Sequence, residues 1–265
     1  MSRKPTPPEA TLADFVPMRD GRTRLLVRRG WEDAAEHLSD PDQIHAEEVV
    51  AGGREAHPVA TLPNGSRVVV RRYRRGGMMR LVNRGLYFGG NRAFDELRAA
   101  ERARAGGVRT PVVVAAIERP ARVAGYRAWL ATLLLSGGLN LAAWLAAEVD
   151  EDRRRGVLRE AGRQTALMHA AGVAHADLNL RNLLVMPGEG DEVYLLDFDK
   201  ATVSATPVSP ARRERDLRRL ARSARKLEAG LGAEHWAVFR EGYGDDWPPG
   251  VDLAKVPKEE RAKGE

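Results

Sequence analysis

The chain contains no cysteine, so disulfides, thiolate zinc sites and cysteine nucleophiles are excluded, and a reducing compartment suits it. Aromatic residues make up 6% of the sequence, too few to furnish the stacking platforms of a single-strand nucleic-acid binder. Six histidines are scattered without an H-E-x-x-H or similar spacing, which removes the usual signature of a transition-metal site. The start, Met1-Ser2-Arg3-Lys4-Pro5, has basic residues but no apolar core, so no signal peptide is expected there. Internal repeats are absent. One long uncharged stretch, Ala128 to Ala147, has the length of a bilayer span. Ser136-Gly137-Gly138 and Asn140 interrupt it, and Arg127 and Glu148 close it off, so a strand, a glycine turn and a helix are the better expectation.

What is abundant is arginine. Lysine and arginine together number 43 against 37 acids in 265 residues, a formal net charge of +6. Such a surface attracts nucleic acid, anionic lipid or a phosphorylated substrate, and composition does not choose among them.

The stretch richest in chemistry is His175-Ala176-Asp177-Leu178-Asn179-Leu180-Arg181-Asn182-Leu183-Leu184, followed by Tyr194-Leu195-Leu196-Asp197-Phe198-Asp199. An acid two residues after a His, an Asn five beyond it, and a second acid ending an apolar run form the layout of a kinase catalytic loop and metal-binding strand. H-x-D or D-F-D alone is common and carries nothing; their order and the apolar runs between them carry the reading. Phosphoryl transfer asks the protein for positioning and charge neutralisation. Asp177 is the candidate acceptor of the substrate hydroxyl proton. Asn182 and Asp197 offer the hard oxygen ligands that Mg²⁺ prefers.

Upstream, Gly52-Gly53 precede Asn64-Gly65, the dipeptide of a tight hairpin, and Val68-Val69-Val70-Arg71 reads as a β-branched strand. Kinases cover the ATP phosphates with a glycine-containing hairpin here, so Gly52 and Gly53 are candidate nucleotide contacts, although an ordinary loop explains them as well. Arg71 stands where a kinase has lysine; its flat, permanently charged fork suits phosphate oxygens. A solvated strand charge is the alternative, because Arg72, Arg74 and Arg75 are neighbours. The helix beginning near Asn91 and closing near Gly106-Gly107 supplies a partner acid for Arg71, with Glu96 the candidate and Glu101 the second choice.

Thr110 to Ile117 and Tyr126 to Leu134 read as strands; Leu139 to Glu148 and Gly156 to Ala171 read as helices, with Gly172 at a C′ position. His169 is expected to be a packed helix residue. A third helix is expected over Ala211 to Leu231, with Leu217, Leu220, Ala224, Leu227 and Leu231 on one face and many arginines elsewhere. That helix is either a membrane-surface element or a core helix with a solvated basic face. The kinase layout implies an α+β, bilobal, protein-kinase-like fold: a small antiparallel-sheet N-lobe with one main helix, then a mostly helical C-lobe. The expected organisation is a flexible segment over 1–24, the N-lobe with its hinge over 25–135, the C-lobe over 136–250 and a flexible tail over 251–265.

With these residues laid out, the chain resembles the lipopolysaccharide kinase family, and within it the branch that acts on 3-deoxy-D-manno-octulosonic acid (Kdo). The resemblance is carried by Val70-Arg71-Arg72-Tyr73-Arg74-Arg75-Gly76-Gly77, Arg92-Ala93-Phe94-Asp95-Glu96, Asp177-Leu178-Asn179, Leu196-Asp197-Phe198-Asp199 and Arg215-Asp216-Leu217-Arg218-Arg219-Leu220. It implies a peripheral enzyme on the cytoplasmic face of the inner membrane of a Gram-negative bacterium. This enzyme would move the γ-phosphate of ATP to the 4-hydroxyl of Kdo on an anionic lipid A precursor. It further implies Arg71 on the ATP phosphates, Glu96 orienting Arg71, Asp177 as base, and Asn182 and Asp197 on Mg²⁺; no nucleic-acid partner is implied. Asp199 replaces the glycine of D-F-G, and Ala176 replaces the arginine of H-R-D, so a phosphorylation-gated loop is not expected. The alternatives keep the chemistry with another acceptor (a core heptose, another small molecule or a protein serine) or make the chain a membrane-associated pseudokinase.

Overall fold

The computed structural model describes residues 12–44, 48–52, 55–73, 87, 92–121, 125–147, 149–188 and 190–257. It divides into two compact units: residues 1–101 with 111–134, and residues 102–110 with 135–265.

The first unit is built on a seven-stranded antiparallel sheet. Its strands are β1 (Phe15–Asp20), β2 (Thr23–Arg28), β3 (Glu48–Gly52), β4 (Glu55–Thr61), β5 (Arg67–Arg72), β6 (Val113–Pro120) and β7 (Tyr126–Leu133), in the order β1-β2-β6-β7-β5-β4-β3. The β4–β5 turn has the chemistry its Asn-Gly demands. Gly65 takes φ +79°, which any side chain would oppose, and the Asn64 side chain accepts from the Ser66 N–H at 3.0 Å. Period-two alternation on β5 sends Val68 and Val70 into a core with Leu25, Val27, Ile117 and Trp129. The opposite face of the same strand therefore presents Arg71. Helix α1 (Ala34–Leu38) closes this core through Ala34, Ala35 and Leu38. Helix α2 (Arg92–Ala105) buries Ala93, Leu97, Ala100 and Ala103, a 3.6-residue stripe, while Phe94 is only half-buried.

The segment expected to be flexible through residue 24 thus holds an ordered edge strand. β1 pairs with β2 from Phe15↔Arg28 to Asp20↔Thr23, and the Phe15 ring, itself buried, lies under the Arg28 guanidinium at 4.6 Å.

The second unit is mainly helical: α3 (Leu141–Ala146), α4 (Glu151–Ala170), α5 (Pro210–Lys226) and α6 (Ala233–Tyr243). Asn140 caps α3 and Asp150 caps α4, each side chain accepting a backbone N–H three residues on. Helices α4 and α6 approach so closely that a Cβ on Gly162 would lie 2.0 Å from the Phe239 carbonyl oxygen, and one on Gly242 would lie 1.9 Å from that of Arg159. Five short strands accompany the helices: β8 (Leu139–Asn140), β9 (Val173–Ala174), β10 (Leu183–Met186), β11 (Glu192–Leu195) and β12 (Thr202–Val203). They form a sheet ordered β11-β10-β8 and a pair β12-β9.

Two sequence expectations need correction here. Helix α5 ends at Lys226 rather than running to Leu231, because Glu228 at φ +51° and Gly230 at φ +67° turn the chain left-handed. The tail expected to be flexible from 251 carries a 3-10 turn at Leu253–Lys255, and Val251, Leu253 and Val256 are buried; residues 258–265 lie outside the described residues. Among the described residues no helix is long and apolar enough to cross a membrane. The uncharged stretch 128–147 is divided among β7, a glycine turn, β8 and α3.

Candidate active site

The catalytic-loop motif begins where α4 ends. Gly172 takes φ +79°, and a Cβ there would meet the Ser204 carbonyl oxygen at 2.4 Å, so glycine lets β9 pair with β12. His175 follows and is fully buried, its ring 5.3 Å from that of Phe198. Its Nδ1 accepts the Asp177 N–H at 3.1 Å, which leaves the proton of a neutral ring on Nε2 to donate to the Leu196 carbonyl at 3.0 Å. One imidazole thus joins the loop bearing Asp177 to the segment bearing Asp197.

The asparagines complete the link. Asn179 and Asn182 each donate through Nδ2 to the Asp177 carbonyl at 2.9 Å, and the Asn182 carbonyl accepts the Leu196 N–H at 2.9 Å. The β10–β11 hairpin, in register from Leu183↔Leu195, carries the two strands that deliver Asn182 and Asp197. Leu178, Leu180, Leu183, Leu195 and Phe198 are buried beneath them. With its amide nitrogen donating to the Asp177 carbonyl, Asn182 has Oδ1 as its other side-chain polar atom. Asp197 takes φ +60°, a region that aspartate tolerates better than most residues and that often marks functional sites. The Asp177 side chain remains 63% exposed. The loop therefore fixes its backbone and leaves the carboxylate in reach of a ligand.

The loop rests on a residue that sequence reasoning quoted within a motif but gave no role. Asp216 of α5 is 3% exposed and accepts the His175 N–H at 2.9 Å; it also receives His169 Nε2 at 3.4 Å. The other nitrogen of His169 lies 2.7 Å from the Tyr243 hydroxyl, and burial pushes the histidine pKa down, so a neutral ring is bridged between helices. Ser223, two turns along α5, accepts the Leu180 N–H at 3.2 Å. An acid on the apolar face of an arginine-rich amphipathic helix, next to Leu217 and Leu220, was the available signal.

In the first unit Arg71 and Glu96 form an ion pair, with the Glu96 side chain 4% exposed and that of Arg71 22%. Tyr73, which sequence reasoning did not single out, donates its hydroxyl to the other Glu96 oxygen. Its buried ring lies 4.8 Å from the Arg71 guanidinium and 5.3 Å from that of Arg92. Glu101 pairs instead with Arg28, so the second-choice acid is occupied elsewhere. Gly52 ends β3 opposite Glu55, while Gly53, Arg74, Arg75, Gly76 and Gly77 lie outside the described residues. The chain thus assembles a buried acid holding a cation and, separately, an exposed Asp177 carboxylate whose backbone is tied to Asn182 and, through His175, to the segment bearing Asp197.

The model of the lipopolysaccharide kinase (Kdo/WaaP) family matches residues 48–243. That span contains both groups of residues. The chain belongs to the lipopolysaccharide kinase family. It is 33% identical to a 3-deoxy-D-manno-octulosonic acid kinase of Xylella fastidiosa (strain M12), over 71% of this chain and 77% of that protein. It is 34% identical to one of Xanthomonas campestris pv. campestris (strain B100), over 83% and 88%. Among solved structures it matches WaaP in complex with acyl carrier protein, with a TM-score of 0.60 and 22% identity, over 83% of this chain and 88% of that one, a likeness of fold. The α+β kinase-like fold is therefore that of this lipopolysaccharide kinase, a phosphotransferase that uses ATP and acts on a sugar hydroxyl. The pseudokinase alternative falls with that result.

Proposed function

We propose that this lipopolysaccharide kinase transfers the γ-phosphoryl group of ATP to the 4-hydroxyl of Kdo in the lipid A inner core. The observation that carries the reading is the backbone network joining Asp177, Asn182 and Leu196-Asp197, the arrangement a positioned base and a pair of oxygen ligands require. The names of the relatives direct the choice of acceptor.

Asp177 orients the acceptor hydroxyl and receives its proton as the oxygen attacks phosphorus, while the bond to the β–γ bridging oxygen breaks and ADP leaves. Arg71 binds ATP phosphate oxygens, held in place by Glu96 and Tyr73. Asn182 Oδ1 and the Asp197 carboxylate would hold Mg²⁺, since one carboxylate and one amide oxygen complement the oxygens of a nucleotide. The metal, when bound, supplies neutralisation of phosphate charge. Such an acceptor sits at a membrane surface, and the exposed arginines of α5, Arg215 and Arg219, suit an anionic one. The protein would then work as a peripheral enzyme on the cytoplasmic face of the inner membrane.

The test is radiolabelled ATP with three acceptors: Kdo-bearing lipid A precursor, heptose-bearing core and casein. Label on the Kdo-bearing precursor, lost when the 4-hydroxyl is blocked, is the expected result. Label confined to the heptose core or to casein would overturn the assignment.

A further inference from the structure

Helix α5 reads the catalytic loop at three successive points. Asp216 holds the His175 N–H at 2.9 Å, Ser223 holds the Leu180 N–H at 3.2 Å, and between them Arg219 reaches the Asp177 carboxylate, Nη1 to Oδ1 3.9 Å. Positions 216, 219 and 223 follow the i, i+3, i+7 spacing of one helix face, so the two anchors set where Arg219 stands. Among the described residues no other cation lies within 4.0 Å of that carboxylate.

Stability does not account for this arginine. Both partners are largely exposed, the Arg219 side chain 49% and the Asp177 side chain 63%, and a long exposed pair of this kind adds little to folding. Its neighbours are spoken for differently: Arg218 pairs with Glu214 at 2.7 Å one turn earlier, Arg213 donates to the Val208 carbonyl at 2.7 Å, and Arg225 donates to that of Ala254. Arg219 alone of these is set beside the base.

We infer that Arg219 is an acceptor-binding residue that takes the carboxylate of an acidic sugar while Asp177 takes the hydroxyl of the same ring. This rests on the reading of Asp177 as the base and of a sugar acid as acceptor. The hydroxyl must come within about 3 Å of the base. An anionic group a few bonds away on that ring then falls within reach of a guanidinium already 3.9 Å from the same base. A guanidinium meets a carboxylate through two parallel N–H donors, which fixes the ring's orientation as well as its presence. Binding the acceptor also draws Arg219 off Asp177, so the base meets the hydroxyl without a competing cation.

The experiment uses the full chain as wild type, Arg219→Gln and Arg219→Lys. Equilibrium binding of radiolabelled Kdo-bearing lipid A precursor in detergent micelles is measured beside its carboxyl methyl ester, which keeps the lipid phosphates. Arg219→Gln should weaken binding of the acid roughly ten-fold, the scale of a charge-assisted pair. Arg219→Lys should recover part of the loss. The ester should bind wild type as poorly as the acid binds Arg219→Gln, with no further loss in the variant. The KM for ATP should stay unchanged, which a misplaced loop would not permit.

Equal binding of the acid by wild type and Arg219→Gln overturns the proposal. Equal losses for acid and ester on Arg219→Gln overturn it too, by assigning the arginine to a lipid phosphate. Phosphate transfer is scored separately. Wild type that binds as described but transfers nothing to Kdo refutes the proposed reaction and leaves the carboxylate subsite standing.

Discussion

Two groups of charged residues, proposed above to do different jobs, are held in opposite ways. Around Arg71, side chains hold side chains: a buried acid grips the guanidinium with one oxygen and a buried tyrosine with the other. Around Asp177 the peptide backbone is what is held, by His175, Asn179 and Asn182 and, from α5, by the Asp216 carboxylate and the Ser223 hydroxyl. A residue that binds an anion electrostatically can be locked through its own charge, because another anion can share it. A residue that takes a proton has to keep its oxygens open, so its immobility comes from the peptide on either side.

That contrast is easiest to break at Asp177, the proposed base. Asp177→Ala should lower phosphate transfer by roughly two to four orders of magnitude, the usual span for a positioned general base. ATP affinity, measured by titration without acceptor, should hardly change. Loss of nucleotide binding would move Asp177 into the other group.

Glu96→Ala should reveal the opposite pattern. Removing the buried acid deletes its ion pair with Arg71 and its hydrogen bond from the Tyr73 hydroxyl, a change on the order of 3–5 kcal/mol for a buried pair. A lowered melting temperature and weakened ATP binding should appear together. Tyr73→Phe sharpens the point, since it keeps the ring that faces two guanidinium groups and deletes one hydrogen bond to a carboxylate, worth about 1.5–3 kcal/mol. Its KM for ATP should rise several-fold with a smaller change in kcat, whereas an unchanged KM would make the tyrosine a packing residue only.

The smallest effect concerns a buried acid without this full set of partners. Glu118 on β6 is fully buried, paired by one oxygen with Arg24 at 2.9 Å, and its Oε1 has no hydrogen-bond partner among the described residues. Burial pushes its pKa up to about 7 from 4.5, opposed by Arg24 on β2 and Arg98 on α2 and reinforced by Asp95 on α2. The folded state therefore binds more protons than the unfolded one between those values. The Glu118 contribution is fully present below pH 4.5 and is lost as pH rises through about 7. Glu118→Gln should flatten that part of a stability–pH curve measured by denaturant titration. His169 acts in the reverse sense: its depressed pKa costs stability as pH falls below 6.5.

Local sequence determined a good deal of this protein. Asn64-Gly65 dictated the β4–β5 turn, and the alternation of Val68, Val70 and Arg71 set which side of β5 carries the cation. The spacing from His175 to Asn182 and on to Asp197 announced a loop, a strand and two acids, and the structure closes them as a β10–β11 hairpin because those contacts span few residues. Only tertiary structure decided the partners that come from far along the chain. It chose Glu96 over Glu101 by giving Arg28 to the latter. It put Tyr73 on Glu96, set Asp216 beneath a histidine 41 residues earlier, and brought Arg219 beside Asp177. A helix period states which residues share a face and is silent about what that face will meet. For that, the packing of one element on another has to exist first.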